Sequence, residues 1–295
     1  MRPMRLILPI APGGATDIVA RLVSNELQKT LGQPMVIDNR PGGDGIVGSQ
    51  AVARATPDGY TLLFALSSHT TTPFLHDNMP YDVYKDFAAI TEVATQPMVL
   101  LVNPSLSARS VGELIALAKS SPKGINAGHA GGVGQMATEI LRMRAGIAGN
   151  VVSIGYKGGA QSMTALLSGE TQFAFVGAGT AMSFIKPGKL LVIATAGQKR
   201  SSFFPDVTTV SESGLANMDI AAWQGVLAPA ATPRSIVNKL YQEIAKALRI
   251  PDVIERLNAT GSEPVGSTPE QFSAKLKQQL DDFGPIIKAS LPANR

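Results

Sequence analysis

The chain has 295 residues, with 26 Lys and Arg against 22 Asp and Glu, a net charge of +4 and no cysteine. That length suits two α/β domains better than one core, and the lack of cysteine excludes thiol catalysis, disulfides and thiolate metal sites. The basic residues are scattered (Arg2, Arg5, Arg21, Lys29, the pair Lys199-Arg200) rather than gathered in a stripe, which argues against nucleic-acid binding. No apolar run approaches the roughly 20 residues of a membrane-crossing helix.

In chain order, Met1–Arg5 carries no basic region followed by an apolar stretch, so the chain is either cytosolic or lacks a removed export signal. Leu6–Ile10 reads as a buried strand, followed by the turn Pro12-Gly-Gly-Ala-Thr-Asp17. Apolar residues at helical spacing (Ile18, Leu22, Val23, Leu27, Leu31) then predict a helix stopped by Gly32. Met35–Ile37 is a strand, Asn39–Gly43 a loop, Ile46–Ala55 a helix, Tyr60–Ala65 a third strand and Ser67–Thr72 a polar loop. Gln96–Asn103 reads as one apolar strand closed by Pro104. A second α/β unit follows: helix Val111–Lys119, strands at Ile125–Ala127, Val151–Ile154, Phe173–Val176 and Leu190–Ala196, and helices at Gln135–Ala145, Gln161–Leu167 and Thr180–Ile185. Val226–Ala231 is an apolar run and Arg234–Leu248, Pro251–Ala259 and Pro269–Ala289 are helices. The alternation predicts a largely parallel α/β architecture. Two crossings, near residues 103–107 and 223–227, would join an outer lobe to an inner one, with a small ligand in the cleft between them. Trp223, the only tryptophan, is expected to pack at the second crossing.

Two glycine-rich turns stand between a strand and a helix. In Pro12–Asp17 the glycines uncover backbone N–H groups and the following helix adds the positive end of its dipole, which together make an anion site. The same turn is equally consistent with a plain βα connection capped by Thr16 or Asp17; Asp17 reads as structural, since its carboxylate would repel an anion. Gly128-His-Ala-Gly-Gly-Val-Gly134 repeats the device and places His129 in a loop. Backbone donors in both lobes would suit a ligand with a carboxylate at each end. Gly43-Asp-Gly-Ile-Val-Gly48 matches the dinucleotide pattern G-x-G-x-x-G, but Asp38–Gly42 separates it from its strand and Asp44 would face the pyrophosphate, so it reads as scaffold. At Tyr156-Lys-Gly-Gly159, Lys157 pairs with an anion or is an exposed turn lysine, and Tyr156 could wall a pocket. Catalytic chemistry is poorly supplied. His69, His76 and His129 are the only histidines, without metal-ligand spacing, and neither a nucleophile elbow nor a Walker lysine is present. The expectation is a protein that is not an enzyme and uses no cofactor or metal.

The run Pro9-Ile-Ala-Pro-Gly-Gly-Ala-Thr-Asp-Ile-Val-Ala-Arg21 resembles the opening of the Bug family, the extracytoplasmic receptors of tripartite tricarboxylate transporters. The resemblance continues in order through Asn39–Gly43 with Gly48, Ala55–Thr61, Tyr156-Lys-Gly, Leu166–Gly169, Pro205–Thr209, Glu212–Gly214 and Trp223–Pro229. It implies an α/β, type II periplasmic-binding-protein fold: two lobes with mainly parallel sheets, joined by two crossover segments around a ligand cleft. Residues 1–104 and 226–295 would form the outer lobe and 105–225 the inner one. It further implies a monomeric periplasmic receptor, its signal peptide removed, that binds a dicarboxylate or related small carboxylate and hands it to membrane components of a tripartite transporter; a sensor-kinase input is the alternative use, and an enzyme on a phosphorylated or nucleotide substrate a further one. Its ligand contacts would fall on Gly13, Gly14, Ala15, Thr16, Ser67, Ser68 and Thr70 in the first lobe. In the second they would fall on His129, Ala130, Gly131, Gly132, Val133, Tyr156, Lys157, Gly158, Gly177 and Ala178. One departure stands out: His129 occupies a place where a small residue is common, and it would either reshape the distal pocket or, if protonated, strengthen binding of a second carboxylate.

Overall fold

Apolar residues on consecutive strand positions bury both faces of a sheet, and this sequence does so twice. The computed structural model describes residues 2–129, 132–156, 159–185, 188–197, 199–215, 218 and 220–290. The chain divides into two units: one runs up to Thr95 and resumes at Trp223, and the other is Gln96–Ala222.

The first unit opens with β1 (Met4–Leu8), α1 (Ala15–Leu31), β2 (Met35–Asn39), α2 (Ile46–Ala53), β3 (Thr61–Leu66), the short α3 (Ser68–Thr71) and β4 (Phe87–Gln96). The second holds β5 (Met98–Val102), α4 (Val111–Ser120), β6 (Ile125–His129), α5 (Gly132–Arg144), β7 (Val151–Gly155), α6 (Gly159–Ser168), β8 (Phe173–Gly177), α7 (Ala178–Ile185) and β9 (Leu191–Ala196). The first unit is completed by β10 (Ala222–Pro229), α8 (Arg234–Ala247), α9 (Pro251–Ala259), β11 (Glu263–Pro264) and α10 (Pro269–Ser290).

The first sheet has the order β11-β4-β10-β3-β1-β2, and the second β7-β6-β8-β5-β9. In the first, β1 runs parallel to β2 and β3, while β10 is antiparallel to β3. In the second, β6 runs parallel to β7 and β8, while β5 is antiparallel to β8 and β9. Both sheets are therefore mixed: the strands of βα units are parallel, and antiparallel members join them.

Period-two alternation divides the first unit's core. Leu6, Leu8, Leu62, Phe64, Val226 and Ala228 pack on one side with Val19, Leu22, Val23 and Leu27 of α1 and Leu240 and Ile244 of α8. Ile7, Leu63, Ala65 and Leu227 face the other side with Val52, Trp223, Phe272 and Leu276. Trp223 is anchored inside this layer: its Nε1 donates to Gln279 Oε1 at 2.8 Å and its ring meets Phe272 edge-on. In the second unit Val99, Leu101, Met163, Leu166 and Ala174 form the corresponding core.

The structure moves the expected boundaries. The apolar run read as Gln96–Asn103 is split by Pro97: β4 ends at Gln96 in the first sheet and β5 begins at Met98 in the second. Proline lacks the N–H that a ladder needs, so the chain changes sheet there and not at residue 104. The return comes at Ala222/Trp223 and not at residue 225/226. β4 itself was not expected, because Thr91 and Glu92 interrupt its apolar pattern. Both are buried, and both are satisfied from far along the chain: Thr91 donates to the Ser267 carbonyl and Lys275 Nζ lies 2.7 Å from Glu92 Oε1. The first strand starts and ends two residues earlier than its apolar run, and the Ser67–Thr72 loop is mostly helical.

That helical turn buries His69 between aromatic rings, stacked on Tyr81 and edge-on to Phe87. Its Nε2 donates to the Val83 carbonyl at 3.1 Å, which leaves Nδ1 enclosed with no partner among the described residues. Burial pushes its pKa from 6.5 down to about 4, the Val83 contact opposing. As pH falls the unfolded chain takes up this proton first, so the stability His69 supports is complete above about pH 6.5 and drains away toward pH 4. Thermal melts across that window should fall by the equivalent of roughly 3 kcal/mol more in the native chain than in a His69→Phe variant; parallel profiles would remove His69 as the cause.

Candidate functional site

In the first unit the parallel strands β1, β2 and β3 all point their C-terminal ends to one sheet edge, where α1, α2 and α3 begin. Residues at the carboxyl ends of such strands are where α/β sheets bind ligands. Antiparallel β10 starts at the same edge, with Gln224 opposite Leu66.

The expected residues Gly13, Gly14 and Ala15 are exposed on this edge and Thr16 is half-buried. Gly13 has φ +96°, a conformation that needs glycine. Gly14 is the N-cap of α1, extended and without a side-chain cap, so Ala15 and Thr16 stand in the first turn, where a helix leaves its N–H groups without an intrahelical acceptor. Asp17 is 4% exposed and turned back from the edge. Its carboxylate accepts from Gly13 N at 3.2 Å, from Arg21 at 2.8 and 3.2 Å, and from Asn39 Nδ2 at 3.0 Å. Asn39 also donates to the Ile10 carbonyl at 3.2 Å. The Arg21 guanidinium, above all, holds the Asp17 carboxyl below the usual range, aided by Asn39 and Gly13 against the opposing effect of burial. Asp17 is thus the structural residue expected: it ties the turn to α1 and β2, and its charge is matched by Arg21.

Ser67 follows β3, buried, with its N–H on the Trp223 carbonyl at 3.0 Å; Ser68 is half-buried. Thr70 does not belong with them. It is 1% exposed, and its hydroxyl is shared between the Ser67 carbonyl and Gln279 Oε1, both at 3.0 Å. It braces the Ser67 turn and has no proton left for a solute. Gln224 was missed by sequence reasoning: its Nε2 donates to Thr16 Oγ1 at 3.3 Å. The signal was a lone amide in the otherwise apolar strand Ala222–Pro229.

The glycine-rich run after β2 is scaffold, as expected. Gly42, Gly43, Asp44 and Gly45 all have positive φ, and a Cβ on Gly48 would stand 2.9 Å from Pro9 Cβ and 3.0 Å from the Arg40 carbonyl. That glycine lets α2 approach the first loop.

The second unit repeats the plan. β6, β7 and β8 end at His129, Gly155 and Gly177, and α5, α6 and α7 start just beyond. Gly132, with φ +54° and exposed, opens α5, and Val133 is half-buried. Ala130, Gly131, Lys157 and Gly158 lie outside the described residues. His129 is not in the loop but is the last residue of β6, 7% exposed. Its ring lies over Gly155, where a Cβ would come 3.3 Å from its Cε1, and its carbonyl accepts from Tyr156 N at 2.8 Å. Burial lowers its pKa, with the Glu139 carboxylate opposing in part, which disfavours the protonated ring that would strengthen binding of a second carboxylate.

Tyr156 lines a pocket with Gln161, Ala165 and Glu170. Its hydroxyl donates to Glu170 Oε1 at 2.8 Å, and burial together with that carboxylate pushes its pKa up to about 12. Gly177 is half-buried under the Gln96 side chain, and a Cβ there would come 2.7 Å from Oε1. Ala178 is fully buried in the core with its N–H on the Pro97 carbonyl at 2.8 Å, so it is a packing residue. The structure therefore brings Gly13–Thr16, Ser67, Ser68 and Gln224 to one edge of the first unit. It brings His129, Gly132, Val133, Tyr156 and Gly177 to one edge of the second. Thr70 and Ala178 are withdrawn from both.

Residues 19–291 match the model of the tripartite tricarboxylate transporter family receptor. Protein BugT of Bordetella pertussis is 33% identical over 97% of this chain and 89% of its own. Among solved structures, an R. palustris protein with adipate is 28% identical over 98% of this chain and 97% of its own, with a TM-score of 0.78. MatC from Rhodopseudomonas palustris with bound malate is 28% identical over 97% and 99%, with a TM-score of 0.75. The two mixed sheets are those of the type II periplasmic-binding-protein fold.

The two glycines of the first turn should separate on substitution. Gly13→Ala forces a Cβ into a left-handed backbone and should cost about 1 kcal/mol or more. Gly14→Ala, at φ −84° with no atom within 4 Å of the added Cβ, should be neutral or mildly stabilising. Equal losses in urea unfolding would contradict this loop geometry.

Proposed function

Because this chain belongs to the tripartite tricarboxylate transporter receptor family, we propose that it is a periplasmic receptor for a small organic acid, a dicarboxylate or related carboxylate, and delivers it to the membrane components of such a transporter. The observation that carries the ligand class is the first turn of α1. Gly13 and Gly14 leave its N–H donors uncovered, and Asp17, which would repel an anion, is turned away and neutralised by Arg21. A helix N-terminus presents donors and the positive end of a dipole without needing a cationic side chain. A carboxylate fits this chemistry: two oxygens can accept from the first-turn N–H groups and from the Thr16 hydroxyl. Hydrogen bonds to a charged group contribute about 1.5–3 kcal/mol each, so about four or five of them at the upper end of that range would reach the roughly −8 kcal/mol of micromolar binding after association costs. The adipate- and malate-bound relatives support the class. Export fits the family, and among the described residues no helix is long and apolar enough to cross a membrane. Binding without chemistry is the proposed activity.

A thermal-shift panel of succinate, malate, adipate and citrate against nucleoside phosphates tests this. Stabilisation by at least one acid is expected, and a response to nucleotides alone would overturn it. Gly14→Val places its branch in open space on the protein side, so the fold should persist while affinity for the stabilising acid falls about 100-fold or more, since the branch covers the donors. Undiminished calorimetric affinity would mean the first loop is only a turn.

A further inference from the structure

We propose that Gln224 is a positioning residue for the carboxylate site of the first unit: its amide donates to the Thr16 hydroxyl and thereby turns that hydroxyl's proton toward the bound anion. This rests on the preceding assignment of the α1 N-terminus as the carboxylate site. Three observations carry it. Gln224 is 7% exposed, yet it is the one uncharged polar side chain in a strand, Ala222–Pro229, that is otherwise apolar or glycine. Burying an amide is costly unless it is used. Its Nε2 lies 3.3 Å from Thr16 Oγ1, in the first turn of α1. Its Oε1 is enclosed with no partner among the described residues.

A hydroxyl has one proton and two lone pairs. When Thr16 Oγ1 accepts from Gln224, its proton is left for a third group, and the group proposed at that helix end is an anion. With the amide reversed, Thr16 would donate to Oε1, the anion would lose a donor, and two amide hydrogens would be enclosed without an acceptor. Buried unpaired N–H groups are rarer in proteins than under-satisfied carbonyl oxygens, which favours the orientation observed. Gln224 therefore does not touch the ligand; it sets the polarity of a side chain that does.

The test is a double-mutant cycle on the full chain, titrated calorimetrically with succinate, malate and adipate separately. Thr16→Val and Gln224→Met should each lower affinity about tenfold. The double variant should be no weaker than Thr16→Val alone, and Gln224→Met should keep its effect in a Thr16→Ser background. Gln224→Leu serves as a second apolar variant if the Met form melts early. Native affinity in Gln224→Met, or losses that multiply in the double variant, would overturn the proposal while leaving the carboxylate site in place. Failure of the native chain to bind any acid of the thermal-shift panel, citrate included, would overturn both.

Discussion

The Asp17 carboxylate is the interaction on which the first unit's edge depends. Sitting in the first turn of α1, it gathers the N–H of Gly13 ahead of the helix, the guanidinium of Arg21 one turn on, and the amide of Asn39 at the end of β2. One buried group thus fixes the loop, the helix start and the neighbouring strand in a common frame. Its charge complements the helix dipole, and Arg21 keeps it from dominating the field at the edge.

Glycine serves two unlike purposes in this molecule. At Gly48 and Gly134 it removes bulk so that elements can close: Gly48 meets Pro9 and Arg40, and a Cβ on Gly134 would stand 2.7 Å from the Phe175 carbonyl, where α5 packs on β8. At Gly14 a Cβ would meet nothing within 4 Å of protein, so packing does not explain the residue; Gly132 is equally open, and there the backbone at φ +54° calls for glycine. The same residue type near a helix start therefore reads as scaffold only where another part of the fold lies beyond its absent side chain.

Much of the architecture was legible because its causes are local. Helical spacing from Ile18 to Leu31 and the stop at Gly32 define α1, whose last turn closes with Gly32 at φ +63°. Runs such as Leu62–Ala65 are apolar on both faces because both faces are buried. Asp17 was readable as structural from charge alone. β4 was not, since Glu92 and Thr91 are tolerated in the core only through Lys275 and Ser267, more than 170 residues away. The change of sheet at Pro97 was hidden inside an apolar run that looked continuous.

By itself the sequence determined the family, most of the strands and helices within each unit, and the glycine turns ahead of helix starts, because turn chemistry and apolar periodicity are properties of neighbours in the chain. Only the tertiary structure decided which polar groups at those turns are already engaged within the fold. Thr70 spends its hydroxyl on Gln279 and Ser67, Ala178 its N–H on Pro97, and Tyr156 its hydroxyl on Glu170, while Gln224 arrives from β10 to orient Thr16. A hydrogen-bonding group is available only if no other part of the fold has claimed it, and the claimants are brought there by sheet register and helix packing.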